Sequence, residues 1–203
     1  MSSIAMNNKV KFLESIEVGI ADLSLLAPPA GIFDHFVEEH VQLDVAQKAK
    51  HVYACYGLTM SFCHELEGTL GGIAILHARA SGRATSPKDV EAFEASFDRL
   101  TIGAMLADVR KRVIWSDEVD ALFKDALERR NQHAHGFFFK RSEAMMSELG
   151  QRALLKELSE SAYSLRTAIL ALDIIGRLFF KLLGVPAGLI DDACERYLAR
   201  YRT

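Results

Sequence analysis

An all-α helical bundle is the fold this sequence predicts, and three observations predict it. Apolar residues recur at steps of four and three along two long stretches, Val52 to Ile73 and Leu158 to Leu183. Outside the first few residues, no stretch shows the strict apolar–polar alternation of a half-exposed strand. The chain has 203 residues, half of them hydrophobic and a quarter charged, which suits one well-buried domain. The helices are expected to run mostly antiparallel through short turns, with the two long ones as the main pillars. The expected division is an N-terminal helical extension over residues 1–30 and a single helical domain over 31–203.

Taken in order, Asn8 to Leu26 reads as a modest amphipathic helix, ended by Ala27-Pro28-Pro29-Ala30-Gly31, where the prolines remove donors and fix backbone angles. From Phe33 to Arg79 the pattern is helical, with a break near Asp44. Val52, Tyr56, Thr59, Cys63, Leu66, Leu70 and Ile73 mark its inner face. Gly68, Gly71 and Gly72 weaken this helix by roughly 1 kcal/mol each relative to alanine, and are expected to admit a close neighbouring backbone. Ser81 to Asp89 is the clearest loop, expected to be the most mobile internal segment, with Pro87 suited to a first helical turn. A short helix follows to Leu100, and Thr101 and Ser116 are each able to cap another. After a polar break over Ser142 to Gly150 comes the second long helix. Its Arg166, Asp173, Arg177 and Lys181 exclude a bilayer span. Val185-Pro186 restarts the chain into a last short helix ending in Arg196, Arg200 and Arg202.

A formal charge of −3 argues against a general nucleic-acid coat, which depends on many phosphate-neutralising cations, while leaving room for a local basic cleft. Cys55, Cys63 and Cys194 are odd in number and form no Cys-x-x-Cys pair, so neither a disulfide framework nor a zinc knuckle is indicated. A cytoplasmic location is the simplest expectation, since the first residues contain no apolar run of signal-peptide length.

One stretch looks chemical: Leu127 to Arg141, where titratable residues interrupt the end of an apolar helical pattern. Gly136 is a helix stop that leaves His135 in the last turn. Asn131 and His135 share a helix face, whereas Arg130 and His135 lie about 140° apart around the axis. An asparagine one turn before a histidine is able to bond one ring nitrogen and leave the other for proton transfer. Arginine is suited to a two-point grip on phosphate. Such a set fits cleavage of RNA through its own 2′-hydroxyl. A structural role is the plainer alternative, with the arginine and histidine complementing the helix dipole by ~0.3–1 kcal/mol each and Phe137, Phe138 and Phe139 filling the core.

The arrangement Leu127-x-x-Arg130-Asn131-x-x-Ala134-His135-Gly136-Phe137-Phe138 resembles the signature of the HEPN superfamily (higher eukaryotes and prokaryotes nucleotide-binding domains). Tyr56 to Leu70 looks like that family's long first core helix and Leu100 to Arg112 like its second, so the likeness spans residues 45 to 183. The resemblance implies a HEPN-like bundle of two long antiparallel core helices plus shorter ones. It implies a metal-independent endoribonuclease without cofactor, with Arg130, Asn131 and His135 catalytic and the motif paired across a homodimer. The resemblance carries over those three residues only; beside them, His133 and Arg129 are auxiliary candidates, and Lys140 and Arg141 are candidates for binding the RNA substrate. The family also includes toxins of defence systems, partners of nucleotidyltransferases and non-catalytic modules. An antitoxin or nucleotidyltransferase partner, and a helical protein-interaction or RNA-binding role, are therefore the alternatives carried with it.

Other clusters read more plainly. His35, Glu38, Glu39, His40 and Asp44 are dense, but no Glu-x-x-His occurs, and a solvated helix face is expected. His51 and Cys55 lie one turn apart without an obvious third ligand, which indicates packing. Arg110-Lys111-Arg112 near Trp115, with Arg129, Lys140 and Arg141, has the composition of an RNA path with one stacking aromatic, although each is individually a plain helix end.

Overall fold

The computed structural model describes residues 17–18, 27–97, 100–110, 113–186, 188–189, 192 and 195, and these form an all-α bundle. The helices are α1 (His35–Gln42), α2 (Val45–Ala80), α3 (Pro87–Phe97), α4 (Ile102–Arg110), α5 (Asp117–Ala134), α6 (Phe137–Lys140), α7 (Ser142–Met145) and α8 (Glu148–Leu182). Glu17–Val18 (β1) is extended and pairs with Ile114–Trp115 (β2), which corrects the helix expected there at those two residues. The rest of Asn8 to Leu26, and most of the stretch after Pro186, lie outside the described residues. No described helix is long and apolar enough to cross a membrane.

Local chemistry sets most boundaries. The break between α1 and α2 falls at Leu43, whose ψ of 152° is extended, and Asp44 Oδ1 accepts the Gln47 N–H at 2.9 Å to start α2. Backbone hydrogen bonds and a left-handed glycine shape the α2–α3 connection. Gly82 takes φ 73°, the Arg83 and Ala84 N–H groups both donate to the Ala78 carbonyl, and Ala84 is buried. A reciprocal cap follows: Ser86 Oγ accepts the Asp89 N–H at 3.2 Å and Asp89 Oδ2 accepts the Ser86 N–H at 2.8 Å. Thr101 Oγ1 caps α4 by accepting from Ala104 N–H. Ser116 stands at the start of α5 with extended backbone but makes no side-chain cap bond.

The glycines of α2 correct another expectation. A Cβ at Gly68, Gly71 or Gly72 would meet nothing within 4 Å, because these residues fall on the helix's half-exposed side rather than on its inner face. Gly150 is the position that requires close approach. There a Cβ would stand 2.2 Å from the Ala144 carbonyl oxygen, so only glycine lets α7 lie against the first turn of α8. The expected polar break ends earlier than Gly150, with α8 starting at Glu148.

The chain forms two compact units. One takes its described residues from 19–69 and 115–171, the other from 1–18, 70–114 and 172–203. In the first unit, Lys48 pairs with Glu148 at 2.7 Å and Glu65 with Arg166 at 2.8 Å, so numbering rises together and these parts of α2 and α8 run parallel. This corrects the antiparallel pillars. Apolar periodicity selects a helix face and is blind to its direction, which here is set by the long excursion over 81–147 that returns the chain to the end of the bundle where α2 began. The antiparallel partner of both is α5: Tyr56 meets His133 and Glu67 meets Arg130, while Asp125 meets Ser164 and Arg129 meets Ser161. Around this trio Phe33, Phe36, Val52, Cys55, Phe137, Leu154, Leu155, Leu158 and Ala162 form one core. Each fully buried Phe or Leu contributes about 1.5–3 kcal/mol.

In the second unit, Ile73, Ala74 and Ala78 of α2, Ile102 and Val109 of α4 and Leu172, Ile175 and Phe179 of α8 are buried. His77 meets Phe179 edge-on at 5.9 Å, and burial, reinforced by the nearby Arg83, lowers its pKa to about 4.

Candidate active site

The end of α5 sorts its polar residues by helical phase. Arg129 turns toward α8, donating through Nε to Asp125 Oδ2 at 2.9 Å and through Nη1 to Ser161 Oγ at 3.4 Å. Arg130, one position on, turns toward α2. Its Nε donates to Glu67 Oε1 at 2.7 Å, Nη2 donates to the same oxygen, and Nη1 donates to Asn131 Oδ1 at 3.1 Å. Hydrogens remain free on both terminal nitrogens, so the guanidinium is oriented without being saturated. The other oxygen of Glu67 lies 3.7 Å from His64 Nδ1. Glu67 and His64, both on α2, are the participants sequence reasoning missed. Their spacing of three residues was visible, but nothing local connects them with a segment more than sixty positions away in the chain.

The helix ends where expected. His135 is the C-cap, with φ −114° and ψ 72°, its N–H donating to the Asn131 carbonyl, and Gly136 takes the left-handed φ of 81°. The tautomer-selecting bond from Asn131 to the His135 ring is not formed; the Asn131 oxygen accepts from Arg130 instead. Arg130 and Asn131 are therefore brought together, while the His135 ring is exposed and bonded to neither.

His133 has the opposite environment. Its side chain is wholly buried, with neither ring nitrogen hydrogen-bonded, 4.8 Å from the Phe137 ring and 6.3 Å from Tyr56. Burial is the main cause that lowers its pKa to about 4; Glu157 opposes that shift, and Arg141 and Arg129 add to it. The Tyr56 hydroxyl donates to the His133 carbonyl at 3.0 Å and the Tyr56 ring stacks on Phe137 at 5.3 Å, which fixes α5 on α2.

Arg141 is committed within the unit. It donates from Nε and Nη2 to the two Glu157 oxygens and lies 4.4 Å over the Phe137 ring. Lys140 is exposed. Trp115 is packed 5.1 Å from Phe123 with its indole N–H on Asp120, and Lys111 and Arg112 lie outside the described residues.

The histidines of α1 and α2 also separate by burial. Glu38, Glu39 and Asp44 are exposed, as expected for a solvated face, whereas His40 of the same cluster is fully buried. Gln151 donates its amide to the Met145 carbonyl, so its oxygen faces His40 Nε2 at 3.0 Å and accepts from it. His51 Nε2 lies 2.8 Å from the Phe36 carbonyl and 3.6 Å from Cys55 Sγ. Burial pushes the Cys55 thiol up to about 12 and Cys63 to about 11, so both are inert protonated thiols rather than nucleophiles at neutral pH. Cys194 lies outside the described residues.

Comparison of the chain with protein-family models, with curated proteins and with solved structures finds no match.

Proposed function

We propose that this chain is a metal-independent endoribonuclease that acts as a homodimer, with Arg130, Asn131 and His135 at the reacting centre. The observation that carries the reading is that one helix end holds both an exposed His135 ring and an Arg130 guanidinium fixed in one orientation by Glu67 and Asn131. His135 takes the proton of the RNA 2′-hydroxyl, and the freed oxygen attacks the adjacent phosphorus. The bond to the 5′-oxygen breaks, and that oxygen receives a proton from the His135 of a second copy across a two-fold axis. The products are a 2′,3′-cyclic phosphate and a 5′-hydroxyl end. Free N–H groups of Arg130 stabilise the negative charge on the pentacoordinate phosphorus. A dimer suits the reading because one helix end offers a single exposed histidine, whereas the reaction needs both a base and an acid.

A second reading, a non-catalytic RNA-binding or interaction module, is favoured by Glu67, whose carboxylate neutralises the very cation that would grip phosphate. One experiment separates them. Purified protein is incubated with a panel of tRNAs and mRNAs in EDTA, alongside Arg130→Ala and His135→Ala, while light scattering reports oligomeric state. Cleavage that ends in a cyclic phosphate, by a dimer, and is lost in both variants supports the nuclease. A folded wild type that leaves every RNA intact gives the module.

A further inference from the structure

A recess of the first unit lies on the other side of α5 from Arg130. Its volume is about 510 Å³, within the range of small-molecule sites. Phe33, Leu122 and Tyr163 supply its apolar and aromatic surface, and Asp125, Arg129 and Ser164 its polar surface. That polar group is already balanced. Asp125 Oδ2 accepts from both Arg129 Nε and the Ser164 hydroxyl, and Arg129 spends a further N–H on Ser161. Arg129, the one cation lining the recess among the described residues, is thus neutralised by its neighbour and is not free for an anion.

Two further carboxylates, Asp34 and Glu160, line the recess, are exposed, and make no ion pair among the described residues. Asp34 is positioned by the turn before α1. Gly31, at φ 78°, has no Cβ, and Asp34 Oδ2 occupies the space 2.7 Å from where one would stand. Three carboxylates against one guanidinium leave the lining with a net formal charge of −2. Apolar and aromatic surface beside uncompensated negative charge favours an ammonium carried on an apolar body, the charge attracted by the carboxylates and the body by the apolar lining.

We infer that this recess binds a small organic cation, an ammonium on an apolar alkyl or aryl body. The ammonium sits between Asp34 and Glu160, and the body lies against Phe33, Leu122 and Tyr163. The site is separate from the Arg130–Glu67 cluster and stands whether or not the chain cleaves RNA.

Calorimetric titration of the full chain with phenethylammonium, 2-phenylethanol and phenylacetate tests it, since the three share a body and differ in charge. Saturable binding of the ammonium is expected, about tenfold tighter than the alcohol, with phenylacetate weakest. The double variant D34N/E160Q is expected to remove that preference and bind the ammonium and the alcohol alike. Both residues are exposed and unpaired, so its melting temperature should match the wild type and certify the fold. The inference is overturned if phenylacetate binds as tightly as the ammonium, if the folded double variant keeps the wild-type preference, or if none of the three saturates at millimolar concentration.

Discussion

His133 and His135 stand two positions apart on one helix end and meet opposite surroundings. His133 is sealed beneath Phe137 and Tyr56 with no partner for either ring nitrogen, whereas His135 projects into solvent from the C-cap. A step of two residues turns a helix by about 200°, so residue type is the same and phase decides everything else. Burial makes His133 a neutral structural ring, whereas His135 is open to solvent. The comparison shows why counting histidines in a motif says little about which one works.

On the proposed nuclease reading, the largest effect expected from this contrast is on RNA cleavage. His135→Ala should reduce RNA cleavage by roughly 10²–10⁴-fold, the usual contribution of a proton-transferring side chain, with stability within about 0.5 kcal/mol of wild type. Cleavage assays and denaturant melts on the same preparations measure both. Full activity in the variant would detach His135 from the chemistry, and a large loss of stability would make it a structural residue.

His133→Ala should invert that pattern, destabilising the chain by about 2–4 kcal/mol through the cavity left beside Phe137. A variant as stable as wild type in urea would show that the ring is not part of the core.

The pH dependence of stability sharpens the contrast further. Folding holds the His133 pKa near 4 against 6.5 for an ordinary histidine, so the unfolded chain takes up the proton first on acidification. The contribution is therefore complete above pH 6.5, declines as pH falls toward 4 and levels off below, amounting to about 3 kcal/mol at most. Urea midpoints across this window should show the decline in wild type, and it should shrink in His133→Phe. An unchanged slope in that variant would assign the acid sensitivity elsewhere.

The smallest expected effect is that of Tyr56→Phe. It removes the hydroxyl that donates to the His133 carbonyl while keeping the stacked ring, and should cost about 1 kcal/mol. Thermal melts suffice; a cost several times larger would mean that the hydroxyl anchors more of the α5 terminus than this one bond.

Several features were legible because they are written locally. Asp44, Thr101 and Pro87 mark helix starts through side-chain bonding or backbone restriction, and Gly136 marks a stop because it tolerates a left-handed backbone. Other expectations failed where a neighbour distant in sequence intervened. Gly68, Gly71 and Gly72 look like contact glycines but face open space, while Gly150, inside the expected polar break, is the one pressed against another backbone. Asn131 was matched to His135 by spacing, yet Arg130 takes its oxygen because Glu67 holds the guanidinium in reach.

By itself, then, the sequence determined the helical class, the inner faces of the two long helices and the position of the polar helix end. Periodicity, capping and turn chemistry act within a few residues and need no partner. Only the tertiary structure decided that α2 and α8 run parallel within the first unit with α5 antiparallel to both, that His40 and His133 are sealed from water, and that Glu67 meets Arg130. It also decided that Asp34 and Glu160 line one recess. The physical reason is common to all of these: direction, burial and charge pairing are properties of contacts between segments far apart in the chain, and a local pattern is compatible with more than one way of making them.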